Sequence, residues 1–303
     1  MKKGRWTVII SHFLLVLLIV VILLPGKKKV ESAEEFLAVI VIMELFALFQ
    51  MKRARQQVVV SDIMTIVWTG LLIWEFVVTK KNWMHPVLVP APENVFAVFG
   101  DQYLILLEGV AASLQLLLTG VIIGVAFGSV AGLVCGWIPR LRDIFYPIAN
   151  VLAPIPSVVF APYVIAIMPT FRSASAMVVV LGIFWPSFLN MILRVNTIEP
   201  NILDAARAMN LSSRTMIFEI LLPYALPGVV TGLKVTMTTA VMMLTFAEMM
   251  GATCGMGYYI VNYNTYGNYT NVVAGIIVVG MVVTVLNKGV TLIQRKVIYW
   301  QNS

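Results

Sequence analysis

Charge is what this chain has least of: across its 303 residues Asp, Glu, Lys and Arg make up 12%, against 60% hydrophobic residues. A soluble domain carries about twice that share of charge, so the composition excludes one and points to a polytopic, all-α membrane protein. Cysteine is scarce as well. Cys135 and Cys254 fall at opposite membrane faces of the span arrangement below, so they cannot pair, and no metal-ligand spacing is present. Histidine is limited to His12 and His85; without paired carboxylates, histidine clusters or a nucleophile elbow, an intramembrane enzyme is disfavoured. The nearest approach to a Walker A motif, Gly228 to Lys234, has Leu233 and Val235 where Gly and Ser or Thr are required. The chain cannot hydrolyse ATP by itself. Its net charge of +7 is spread between apolar runs rather than gathered on one patch, which argues for topology determinants and against a nucleic-acid partner.

What is present is a succession of apolar runs: 8–24, 36–51, 58–78, 104–137, 144–168, 176–193, 225–250 and 272–293, eight candidate spans in all. The run at 36–51 is the shortest. The first run has a basic start like a signal peptide, but it is longer than a usual h-region and no Ala-x-Ala site follows, so it is expected to stay as a span. If the polar stretch near residue 200 is cytoplasmic, thirteen basic residues lie inside: Lys2, Lys3, Arg5, Lys52, Arg53, Arg55, Arg140, Arg142, Arg194, Arg207, Arg214, Arg295 and Lys296. Six lie outside: Lys27, Lys28, Lys29, Lys80, Lys81 and Arg172. That asymmetry predicts both termini in the cytoplasm, although the three lysines at 27–29 run against it locally.

Several features along the spans invite a role. Glu44 lies within an apolar run and should face protein or be protonated. His85 to Pro92, with prolines at 86, 90 and 92, reads as an extended strap. Gly120, Gly124, Gly128, Gly132 and Gly136 recur at intervals of four, so another helix can approach that face closely. Pro154-Ile155-Pro156-Ser157, with Pro162 beyond it, breaks the fifth span; freed carbonyls of this kind are found where backbone lines a cavity or packs on neighbouring protein. Pro154, Pro156 and Ser157 are therefore candidates for a translocation path or for a structural kink. Lys234, about 12 Å into its helix, can snorkel, whereas Glu248, about 33 Å along, is either a gate residue or a solvated end. The uncharged loop 251–271 carries Tyr258, Tyr259, Tyr263, Tyr266 and Tyr269, an aromatic belt or a docking face.

The most informative stretch is Glu199 to Pro223. Pro200 suits the first turn of a helix. Ile202, Leu203, Ala206 and Met209 then give that helix one apolar face, and Asn210 supplies the left-handed residue that ends it. Ser212 can cap a second helix bearing Met216, Ile217, Ile220 and Leu221, which Pro223 is expected to stop. The whole is a helix-turn-helix hairpin between spans.

Asp204-Ala205-Ala206, three residues, Asn210, nine residues and Ile220-Leu221-Leu222-Pro223 resemble the EAA loop of ABC-importer permeases. Asp replaces that pattern's Glu, and Asn its Gly. Asp204 is one methylene shorter, and Asn210 should cost about 1 kcal/mol relative to Gly, so the fit of the loop is expected to be shifted. The strap is similar to the Leu-Pro-x-Pro element of the nitrate/sulfonate/taurine/bicarbonate branch, and Ala247-Glu248-Met249 with Gly255-Met256-Gly257-Tyr258 matches a family turn. The resemblance implies a core of six spans at 58–303, preceded by a two-helix extension at 1–57. It also implies that Asp204, Ala205, Ala206, Asn210, Ile220, Leu222 and Pro223 meet a separate ATPase subunit, which binds ATP and Mg. A second permease subunit and an extracytoplasmic solute-binding protein would complete an importer in a bacterial inner membrane, with no cofactor in this chain. A scaffold or sensor that keeps the fold without moving solute is the alternative, motivated by the extra spans and altered loop.

Overall fold

In the computed structural model, residues 2–30, 33–54 and 57–297 are described; the side chains of residues 2–5, 53, 54 and 207 are not, and Arg55 lies outside the described residues. All regular elements among them are helical: α1 Lys2–Leu23, α2 Glu34–Ala54, α3 Gln57–Trp74, α4 Pro92–Asp101, α5 Tyr103–Trp137, α6 Pro139–Leu152, α7 Ala161–Ile167, α8 Phe171–Asn196, α9 Pro200–Ala208, α10 Ser213–Thr215, α11 Leu222–Met249, α12 Met256–Thr265 and α13 Tyr269–Val297. Six helices are long and apolar enough to cross a membrane, seven if the bent α6–α7 pair is one span. The eight runs of the sequence thus reduce by one. The loss is α2, where Glu34, Glu35, Glu44, Lys52 and Arg53 leave no 18-residue window with fewer than three charges.

The chain divides into two compact units. The first comprises Met1–Leu107 and Ile260–Ile277. Its core joins Leu18 and Ile22 of α1, Phe36, Ile40, Ala47 and Met51 of α2, Met64 and Trp68 of α3 and Phe96 of α4. Phe36 and Phe96 stack at 4.9 Å. Glu44 faces protein, its Oε1 3.2 Å from His12 Nε2.

The end of α3 widens into a π-helical turn, Glu75–Lys80, bound to the α1–α2 loop. Lys80 Nζ lies 2.9 Å from Glu75 and donates to the carbonyls of Ile22 (3.2 Å) and Leu24 (2.7 Å). The amides of Lys27 and Lys28 donate to the Thr79 carbonyl at 3.0 and 3.1 Å. The Thr79 hydroxyl is 3.0 Å from both Glu75 and Glu93, and all three residues are buried. Lys28 donates to Val89 O at 2.7 Å; burial pushes its ammonium down from the ordinary lysine range, while the Glu93 charge works the other way. Lys28, one of the lysines that run against the charge rule, is therefore spent on local structure.

The expected strap is a turn. His85 Nδ1 accepts from the amides of Val87 and Leu88, and Val89 N–H closes back onto His85 O, so the chain reverses instead of extending. Pro92 then opens α4, a helix not anticipated, because proline at a first helical position withholds only an amide that has no partner there.

The second unit, Glu108–Tyr259 with Val278–Ser303, is built on α5 and α8. An added Cβ at Gly120 would meet Val179 Cγ1 at 2.7 Å, at Gly124 Ile183 Cβ at 2.8 Å, at Gly128 Phe184 O at 2.7 Å and at Gly132 Phe188 O at 2.5 Å. The glycine row is thus the seam against which α8 lies, two of its contacts being to backbone that cannot swing aside. Leu117, Val121, Val179, Ile183, Ala240, Val241 and Leu244 continue this core onto α11.

Candidate functional site

Within the second unit the proline cluster does what its spacing predicts. Helix α6 ends at Leu152, a 3-10 turn covers Ser157–Phe160, and α7 leaves at an angle of 86°. Inside that break lies a cavity of ≈ 540 Å³ lined by Pro154 and Pro156, by Pro186, Ser187 and Asn190 of α8, and by Gly232, Thr236, Thr239, Met242 and Phe246 of α11. A cavity of this volume is of the size that holds a small ligand. Ser157 is not among its lining residues: it is buried, its Oγ lies where a Cβ on Gly182 would be 2.5 Å away, and that oxygen has no hydrogen-bond partner among the described residues.

A smaller cavity of ≈ 160 Å³ shares Ser187, Asn190, Gly232 and Thr236 with the first and adds Ser129, Arg194 and Gly228. It lies on the side of the hairpin, since Arg194 is in the last turn of α8, just before Pro200. These polar lining residues were not singled out from the sequence, yet a signal was available. Ser187, Asn190 and Arg194 recur at three and four, as do Gly232, Thr236 and Thr239, a polar stripe on each of two otherwise apolar spans.

Glu248 is neither a solvated end nor a lining residue of either cavity; its exposure is 0%. The Ser113 hydroxyl donates to Oε1 at 2.6 Å while accepting from Met256 N–H at 2.8 Å, and Gly257 N–H donates to Oε2 at 2.8 Å. The carboxylate therefore caps the amide end of α12, where a helix presents unpaired donors. Gly255 must be glycine here, with φ +118° and a would-be Cβ 2.4 Å from Glu248 Oε1. Expectation and structure differ because arithmetic along one helix gives height, not the segment that folds over it. The tyrosines divide in the same way: Tyr259 is buried, Tyr263 donates to Gln102 Oε1 at 3.1 Å, and Tyr266 is exposed.

The hairpin forms as its residues dictate, except at Pro223. Helix α9 begins at Pro200, and Asn210 takes φ +48°, the left-handed conformation needed to reverse the chain. Ser212 accepts from Thr215 N–H at 3.2 Å as the cap of α10. Ala206, Met216, Ile217 and Leu221, with Ile220 and Leu222, pack on Leu133, Met191 and Val195, which ties the hairpin to α5 and α8. Pro223 does not stop the second helix. A π-helical turn at Met216–Leu221 shifts the pairing, so that Leu222 N–H bonds to Ile217 O, and Pro223 enters as an early residue of α11. The wide turn relieves the clash between the ring and the carbonyl four residues back, and helix continues from Ser213 to Met249. Asp204, Ala205, Asn210 and Pro223 are exposed, as are Met209 at 70% and Phe218 at 52%.

The family described as "Binding-protein-dependent transport system inner membrane component" matches residues 124–298, from the second glycine of the row through all of α13. The chain belongs to this family. Among similar permeases, the taurine transport system permease protein TauC of Escherichia coli (strain K12) is 26% identical over 237 residues, 76% of this chain and 86% of that protein. The nitrate import permease protein NrtB of Leptolyngbya laminosa is 28% identical over 189 residues, 62% of this chain and 68% of its own length. A solved structure of the MetNI methionine ABC transporter in inward-facing conformations contains a chain that matches with a TM-score of 0.58 at 22% identity, covering 65% of this chain and 98% of that one. The fold is that of an ABC-importer permease. The chain is a membrane-spanning transport permease.

Proposed function

We propose that this permease forms the translocation path of an ATP-driven importer and is driven through the 199–223 hairpin by a separate ATPase that binds ATP and Mg. One observation carries the reading: the hairpin is held to α5 and α8 by a continuous apolar core while Met209 and Phe218 stand exposed on it. A lever needs that pairing of a rigid root and an apolar tip, and exposed Met and Phe side chains suit a docking partner. Closure of two ATPases would push two such hairpins and rock the bundle about the cavity between α6–α7, α8 and α11.

The rest follows from the resemblance. A second permease chain completes the path, an extracytoplasmic binding protein delivers the solute, and the hairpin and both termini face the cytoplasm of a bacterium. The solute is small, of the nitrate, sulfonate, taurine or bicarbonate kind or a vitamin precursor; the similarity to TauC and NrtB supports this range. The stretch 1–57 is an added anchor ahead of a core at 58–303. The test is co-purification of the ATPase with tagged permease from native membranes. Asp204→Ala and Met209→Asp are expected to lose it, and a tight, fully stimulated complex with both variants would remove the hairpin from this role.

A further inference from the structure

The hairpin-side cavity contains one charge. Arg194 crosses from the last turn of α8 to α11 and lies flat against Gly228, where an added Cβ would be 1.8 Å from Nη1 and 2.0 Å from Cζ. Among the described residues no acid is within ion-pairing distance of Arg194, and no acid lines either cavity. Around it are the amide of Asn190 and the hydroxyls of Ser187, Thr236 and Ser129. Ser129 is 8% exposed, and its Oγ has no hydrogen-bond partner among the described residues.

Arg194 is half-buried and Ser129 buried; a guanidinium drawn partly out of water and a buried hydroxyl without a partner are both stabilised when something negative answers them. The last turn of a helix favours a cation in any case. That preference is met by a side chain lying along its own helix, whereas this one reaches across to a neighbour that has no side chain to keep it away. We infer that Arg194, with Asn190, Ser187 and Ser129, is an anion-accepting station in the path, built for the oxyanion of a sulfonate, carboxylate or nitrate-like solute. Its fork of N–H donors can engage two oxygens at once while the amide and hydroxyls take the others. The same charge repels cationic solutes. This rests on the reading of the cavities as the solute path.

A thiol introduced by Thr236→Cys, with Cys135→Ala and Cys254→Ala, reports the local potential without knowledge of the transported solute. Thr236 spends its hydroxyl on the Gly232 carbonyl of its own helix, so little structure is lost. Full-length protein in membrane vesicles is treated with 2-sulfonatoethyl or 2-trimethylammonioethyl methanethiosulfonate, each rate being referred to a free thiol. A unit charge within a few ångströms should raise the anion-to-cation ratio about tenfold or more over that in Arg194→Gln. Gly228→Ala keeps the charge and favours the helix but pushes the guanidinium off α11, and should lower the ratio part of the way. An equal ratio with and without Arg194 overturns the station while leaving the path intact. If neither reagent reaches position 236, the path reading fails first and the station with it.

Discussion

The glycine row of α5 and Gly232 of α11, in the same unit, have opposite surroundings. On α5 the row from Gly120 to Gly132 is pressed against α8, so that a single added carbon would overlap side chains or backbone at every position. On α11 an added Cβ at Gly232 would meet nothing within 4 Å, because the residue opens onto both cavities. The row lets helices touch, and Gly232 keeps space between them. Spacing alone does not tell them apart, since Gly228 and Gly232 also stand four residues apart in an apolar helix, and Gly228 is covered by Arg194.

Substitutions can break or sharpen this contrast. The largest effect is expected from Gly132→Leu, which drives a branched side chain into Phe188 O and should leave no folded, monodisperse protein on size-exclusion chromatography. Next is Gly232→Phe: folding should persist, with an unchanged melting transition, while vesicle uptake driven by the partner ATPase is abolished because the ring fills the cavity. Gly132→Ala should cost about 1–3 kcal/mol, the range for overpacking, read as a lowered unfolding midpoint. Glu248→Gln replaces an acceptor by a donor opposite Gly257 N–H or Ser113 and should cost about 1.5–3 kcal/mol by the same assay, with the α12 end the first to exchange its amides. Smallest is Gly232→Ala, expected to stabilise by up to about 1 kcal/mol through helix propensity, since no neighbour resists the methyl. Destabilisation there as large as at Gly132 would erase the distinction between seam and path.

The parts of the fold that were legible have causes lying within a few residues. Asn210 turns left-handed because the helix before it must reverse, and the break at Pro154 and Pro156 follows from the amides those residues lack. Pro223 was misjudged by the same local rule. A proline stops a regular α-helix, but the π-helical turn before it supplies a different pairing, and no short window announces that turn. The role of Glu248 was out of reach for another reason: its partner Ser113 is 135 residues away, and the α12 amides that complete the cap arrive from a loop whose course spacing does not fix. Lys28 likewise runs against the charge rule along the sequence, and only the closing of the α1–α2 loop on the end of α3 gives it partners.

By itself the sequence determined the solvent of this protein, all but one of its candidate spans, the face of α5 that must be bare and the place where the chain turns back between spans. These depend on composition and on periods of three and four residues, which act within one helix. Tertiary structure alone decided which glycines open onto space, which acid became a cap and where Arg194 rests. Each of those outcomes depends on what a distant segment brings alongside, and the free energy of a buried polar group is set by that neighbour more than by the residues on either side of it in the chain.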